Sequence, residues 1–311
     1  MLSMLDAIGN TPLVQLARVV PQGAATVYLK LEFYNPTGSY KDRMALSMIE
    51  RAEQRGALRP GMTVVEYTGG STGISLAFVC AVKGYRCRIV SNDAVAKEKL
   101  RSMQVFGAEL EVLNSQGGKL TADLVPRMMA RAREIAAEGS SYATDQMRNP
   151  DMVAGYEPLG QELLRQIPGG VAIDAFCAAV GTSGMIMGTS RALKAANPTT
   201  RIVALEPATS AVLSGGPAGT HGVEGVAPGF VPPQFDRGMV SEARGIDEGE
   251  ARLMARELAR REGIFAGTST GLNVVGAIQL ARELGAGHTV VTVAADSGLK
   301  YLAGDLYAAL S

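Results

Sequence analysis

Three short segments carry residue types that could do chemistry. The first is VVEYTGGSTGI (64–74), and the second is AAVGTSGMIMG (178–188). Each reads as a strand, then small residues, then a helix. The small residues leave backbone N–H groups exposed at a helix start, where partial positive charge favours a phosphate or a carboxylate. One such loop is often only a turn. Two in one chain suggest a ligand with two anionic groups, or two anionic ligands side by side. The third segment, NPTGSYKDR (35–43), puts Lys41 at the expected start of a helix. A cation is electrostatically misplaced there. Either its stem reaches solvent, as most lysines do, or its nitrogen is not a free cation but an imine.

Other nucleophile and metal chemistries have little material. His221 and His288 are the two histidines, with no HxxxH or HxH pair, so a histidine-based metal site is not expected. His288, in LGAGHTVV, reads as a surface turn residue before a strand. Cys80, Cys87 and Cys177 lie in apolar stretches without CxxC spacing, which reads as reduced, buried packing.

The elements that must position these segments alternate. Short apolar, β-branched runs at 27–31, 63–67, 86–90, 109–113, 172–180, 201–206 and 289–294 suit strands covered on both faces. Between them lie helical stripes. Leu124, Met128, Ala132, Ile135 and Ala136 recur at helical spacing in 121–138, and Asp247 with Glu250 reads as a capping box opening a helix through Arg261. Strand–helix alternation predicts an α/β fold with parallel sheets. Residues 214–236 are rich in Gly and Pro and lack periodicity, which fits either a lid or active-site wall or a plain connection.

A length of 311 residues fits one large α/β unit or two modest domains. Lys+Arg and Asp+Glu both number 30, so no net field favours nucleic acid or an anionic membrane. No apolar run reaches membrane-spanning length. The N-terminal MLSMLDAIGNTPLV lacks a signal-peptide pattern, so a cytoplasmic location is expected.

A short-chain dehydrogenase is the first competitor, because TGGSTGI (68–74) imitates its TGxxxGI loop. That loop would follow the first strand, whereas here it comes after some sixty residues. No Tyr has a Lys four positions on, and no GxGxxG offers another dinucleotide loop.

Taken together, the segments resemble the cysteine synthase family, the β-family of fold-type II pyridoxal 5′-phosphate (PLP) enzymes. The resemblance rests on IGNTPLVQL (8–16), KLEFYNPTGSYKDR (30–43), EYTGGSTGIS (66–75), GTSGMIMG (181–188), VEGVAPGFVP (223–232), GTSTGLN (267–273) and ADSGLKYL (295–302). It implies a two-domain fold, tryptophan synthase β-like, with parallel-rich twisted sheets and PLP in the interdomain cleft. The smaller, mobile domain would be 41–145. The larger would be 1–40 and 146–311, and the assembly a homodimer. By the same resemblance Lys41 forms the imine with PLP and shuttles the α-proton. Gly181, Thr182, Ser183 and Gly184 hold the phosphate, Ser297 bonds the ring nitrogen, and Ser71 lies beside the cofactor. Thr68, Gly69, Thr72 and Gln146 bind the substrate carboxylate.

The implied reaction is β-replacement on O-acetylserine or O-phosphoserine with sulfide or a related nucleophile, through an aminoacrylate, giving L-cysteine or an analogue. Elimination by a dehydratase or cysteine desulfhydrase is the alternative. A non-catalytic binding protein fits poorly with the retained Lys41. The sequence departs from the family pattern at Ser71 (usually Asn), Gly69 (usually Ser), Met185 (usually Thr) and GTSTGLN. These departures bear on the substrate and nucleophile more than on the cofactor.

Overall fold

The structure is a computed structural model that describes residues 2–115 and 123–308. The apolar runs become strands and the amphipathic stretches helices. In chain order the first elements are β1 (Leu13–Gln15), β2 (Thr26–Leu31), α1 (Lys41–Gln54), β3 (Thr63–Tyr67), α2 (Ser71–Lys83), β4 (Arg86–Asn92), α3 (Lys97–Val105) and β5 (Glu109–Leu113). Next come α4 (Leu124–Ala137), β6 (Ser141–Ala143), α5 (Pro150–Ala154), α6 (Glu157–Gln166), β7 (Ala175–Ala179) and α7 (Gly184–Ala196). The last are β8 (Arg201–Pro207), β9 (Glu242–Ile246), α8 (Glu248–Glu257), α9 (Thr268–Leu284) and β10 (Thr289–Ala294). They divide into two compact units, Met1–Ile8 with Lys41–Gly155, and Gly9–Tyr40 with Tyr156–Ser311.

The first unit is built on a four-stranded sheet in the order β5-β4-β3-β6. All its pairs are parallel. Every residue of β3 is buried, which is why its sequence is an apolar run and not an alternation. Val65 and Tyr67 face α4, where the stripe Leu124, Met128, Ala132 and Ile135 covers them. Val64 and Glu66 therefore point to the other face. The expected start of the α4 helix at 121 and 122 lies outside the described residues. α5 belongs to this unit and packs on α1: the Ser47 hydroxyl donates to the Asp151 carbonyl at 2.7 Å.

The second unit has a six-stranded sheet, β1-β2-β10-β7-β8-β9. β1 is antiparallel to β2, and the other pairs are parallel. Its core joins Val27, Leu29, Val203, Leu205 and Val290 from the sheet to Leu272 and Ile278 of α9. Gly271 of α9 rests against the Ala251 carbonyl of α8, where a methyl group would overlap it.

Three expectations need correction. The strand expected at 172–180 spans only Ala175–Ala179, because Asp174 is engaged in the turn, its carboxylate accepting from the Thr289 amide at 2.7 Å. The helix expected through Arg261 ends at Glu257 and continues as a π turn, Leu258–Glu262; Asp247 does cap it, accepting from the Glu250 amide at 2.9 Å. The short strands β1, β6 and β9 carry no long apolar run and were not expected.

Residues 214–236 hold no helix or strand, yet they are tied down. The Glu206 carboxylate accepts from the amides of Leu213 and Ser214, each at 2.8 Å. The Gly222 amide donates to Glu248 at 2.7 Å and the Ala227 amide to the Val180 carbonyl at 2.8 Å. Among the described residues no helix is long and apolar enough to cross a membrane.

Candidate active site

In the first unit, the chain leaves β3 at Tyr67, turns through 68–70 and enters α2 at Ser71. The Thr68 hydroxyl accepts from the Gly70 amide at 3.1 Å, a local bond that shapes such turns. A methyl at Gly73 would crowd Met103 and Thr68 at 2.8 Å, whereas one at Gly69 would meet only Val95 at 3.4 Å and Asn92 at 3.9 Å. A methyl would overfill the loop at Gly73, while at Gly69 it would sit at ordinary contact distance. Far along the chain, Gln146 joins it. Its Oε1 accepts from the Thr72 hydroxyl at 2.7 Å, and its Nε2 donates to the Tyr67 carbonyl at 3.2 Å. One Nε2 proton remains for a ligand. The opening turn of α2 adds amides without intrahelical partners. Thr68, Gly69, Thr72 and Gln146 thus meet at one helix N-terminus suited to a carboxylate.

Lys41 opens α1 and is buried at 8% exposure, so its stem does not run out to solvent. Desolvation lowers its pKa to about 8, opposed by the negative charge of Glu66. A lysine so placed holds far more free amine near neutral pH than an ordinary lysine, and that amine can attack an aldehyde or move a proton. Glu66 was not foreseen. Burial raises its pKa to about 7, opposed by bonds from Thr144, Gln146 and Tyr67. Its sequence signal is an acid inside an otherwise apolar strand.

In the second unit, residues 181–184 link β7 to α7. Gly181 lies against the Gly225 carbonyl with no room for a side chain. Ser183 adopts φ 70°, a left-handed conformation that turns the chain into a 13-residue helix. Its hydroxyl is buried without a hydrogen-bond partner. An orphaned donor beside a helix N-terminus fits a phosphate oxygen. The loop is also held from behind: the Asn273 side chain accepts from the Ala179 amide at 2.7 Å and donates to the Val293 carbonyl at 2.8 Å. This gives GTSTGLN a task the sequence did not assign. Met185 is buried and adds no donor.

Ser297 caps the short 3-10 turn Gly298–Tyr301. Its hydroxyl oxygen accepts from the Leu299 amide at 3.3 Å, so its proton is left to donate. Its own amide donates to the Gly38 carbonyl at 3.0 Å. Beside it, the Tyr301 hydroxyl donates to Asp296 at 2.7 Å.

Residues 4–296 match the family model described as pyridoxal-phosphate dependent enzyme. A cysteine synthase of Staphylococcus aureus is 42% identical over 306 residues, covering 98% of this chain and 96% of that protein. The chain belongs to the cysteine synthase family of pyridoxal-phosphate dependent enzymes. Two solved structures agree. O-ureido-L-serine synthase superimposes with a TM-score of 0.93 at 36% identity, covering 99% of this chain and 96% of that one. Cysteine synthase from Entamoeba histolytica gives 0.91 at 33% identity, covering 98% and 90%. The fold is that of fold-type II PLP enzymes, and the cofactor is PLP. Each within its own unit, the buried Lys41 amine has the chemistry to meet an aldehyde and the orphaned Ser183 hydroxyl that to meet a phosphate. The chain is therefore a PLP-dependent enzyme of the cysteine synthase kind.

Proposed function

We propose that this enzyme makes L-cysteine from an O-activated serine, O-acetyl-L-serine or O-phospho-L-serine, and sulfide. The observation that carries the reading is Lys41: a buried amine whose pKa is lowered to about 8, opening a helix in the same unit as the carboxylate loop. PLP, when bound, delocalises the negative charge that develops at the substrate α-carbon. The residues do the rest. The amides and hydroxyls at 181–184 hold the phosphate, and Ser297 donates to the ring nitrogen. As a neutral donor it leaves that nitrogen largely unprotonated, which suits loss of a β-substituent over transamination. Thr68, Gly69, Thr72 and Gln146 receive the substrate carboxylate. Ser71, which opens α2, would offer its hydroxyl to the cofactor.

The Lys41 amine takes the α-proton. The acetate or phosphate leaves the β-carbon with its bonding electrons, sulfide adds there, and the proton returns to the α-carbon. A nucleophile other than sulfide is the second reading, supported by the likeness to O-ureido-L-serine synthase.

The test supplies purified, PLP-loaded protein with either donor and sulfide, and measures cysteine, pyruvate and acetate or phosphate. Cysteine matching the released leaving group is expected. Pyruvate forming faster than cysteine would make the protein an elimination lyase.

A further inference from the structure

We propose that Glu66 is a positioning residue for the substrate carboxylate: its buried side chain grips both flanks of the turn that presents Gln146, and so fixes where the Gln146 amide points. This rests on the reading of Thr68, Thr72 and Gln146 as the carboxylate site.

Glu66 is 1% exposed, and a carboxylate is costly there unless fully bonded. Its Oε1 accepts from the Tyr67 amide at 2.9 Å. Its Oε2 accepts from the Thr144 hydroxyl at 2.7 Å and the Gln146 amide at 2.9 Å. Between those two partners stands Asp145 with φ 44°, a left-handed conformation that a non-glycine residue keeps only when its surroundings enforce it. The Thr144 amide is tied to the Val65 carbonyl at 3.1 Å. The Gln146 amide, on the far side of the strained residue, is tied to Glu66. One carboxylate therefore closes the turn onto β3. From that fixed backbone the Gln146 side chain reaches Thr72 and the Tyr67 carbonyl. Glu66 acts on the substrate carboxylate through Gln146; its charge also raises the pKa of Lys41, so half-saturation and not turnover is the readout.

Glu66→Gln keeps the shape but exchanges one acceptor oxygen for a donor nitrogen, which must then face a donor. In the PLP-loaded enzyme the half-saturating concentration of O-acetyl-L-serine should rise about tenfold, as for loss of a bond to a charged group, while PLP affinity stays unchanged. In cofactor-free protein, hydrogen exchange at the Gln146 amide should quicken by about tenfold. Combined with Gln146→Ala, Glu66→Gln should add nothing further, because both act through one group. Independent, multiplying effects, or unaltered exchange, overturn the proposal. If Gln146→Ala raises half-saturation and Glu66→Gln does not, the proposal alone fails. If Gln146→Ala has no effect, the carboxylate reading fails and takes this one with it. Should Glu66→Gln not fold, Thr144→Val removes one bond of the same clamp; a rise of about threefold supports the proposal and no rise overturns it.

Discussion

The Thr72 hydroxyl donates to Oε1 of Gln146 across 2.7 Å, joining residues that lie 74 positions apart. This bond decides which end of the Gln146 amide faces the loop. With Oε1 held by Thr72, the free N–H of Nε2 is the end left for an anion. Thr72→Val should let the amide turn and set its oxygen against the substrate carboxylate. The KM for the amino-acid donor should rise about tenfold or more with a smaller change in kcat. Equal losses in kcat and in PLP affinity would mean that Thr72 serves the cofactor instead.

The pKa of Lys41, lowered to about 8 by burial, sets a pH dependence. Only the unprotonated amine attacks the PLP aldehyde. A lowered pKa means that the amine fraction grows as pH rises towards about 8 and saturates above it. The rate at which apoprotein binds PLP covalently should follow that curve, read from the growth of visible absorption. Lys41→Ala should bind PLP without that absorption and lose at least about a thousandfold in activity. A loading rate that keeps climbing well above pH 8, towards the ordinary lysine range, would place the amine in water, not in a desolvated site.

Much of this arrangement was legible because burial on both faces turns a strand into an apolar run. β3 and β10, buried along their whole length, have the bounds the sequence suggested; β5 has them too, although as an edge strand it is only partly buried. β9, with Glu242, Arg244 and Gly245 in five residues, is an edge strand with intermediate burial and carries the charge that edges tolerate. β1 and β6, three residues each, are too short for a period. Lys41 and the two glycine-bearing loops stood out by residue type. Ser183 did not reveal its left-handed backbone, because a non-glycine there is set by tertiary context. Glu66 and Asn273 were missed for a related reason. Their partners, Thr144, Gln146 and Val293, are distant in sequence, and local periodicity says nothing of such pairs.

Ser183→Ala separates cofactor binding from stability. The Ser183 hydroxyl is buried without a protein partner, so the apoprotein bears its desolvation without return. Removing it should leave the melting temperature of apoprotein unchanged or higher. It should also weaken PLP binding by about tenfold, the usual effect of losing a donor to a charged oxygen. A fluorescence titration with PLP and a thermal melt of the apoprotein decide it. A lower melting temperature with unchanged affinity would make this serine a structural residue.

Stability of the second unit should depend on an ion pair remote in role from the chemistry. Lys30 in β2 meets Glu162 in α6 at 2.7 Å, with side-chain exposures of 0% and 6%. Its Nζ also donates to the Thr11 carbonyl at 2.6 Å and to Gln166 at 2.7 Å. Glu162→Ala removes the anion 2.7 Å from this buried ammonium and should cost about 3–5 kcal/mol, seen as a fall in the urea midpoint of the apoprotein. Replacing both partners, Lys30→Met with Glu162→Leu, removes the charge and its need for a partner together. That double variant should recover most of the loss, since a well-packed apolar pair often matches a buried ion pair. If it is as unstable as Glu162→Ala, the damage comes from lost packing between β2 and α6 and not from an uncompensated charge.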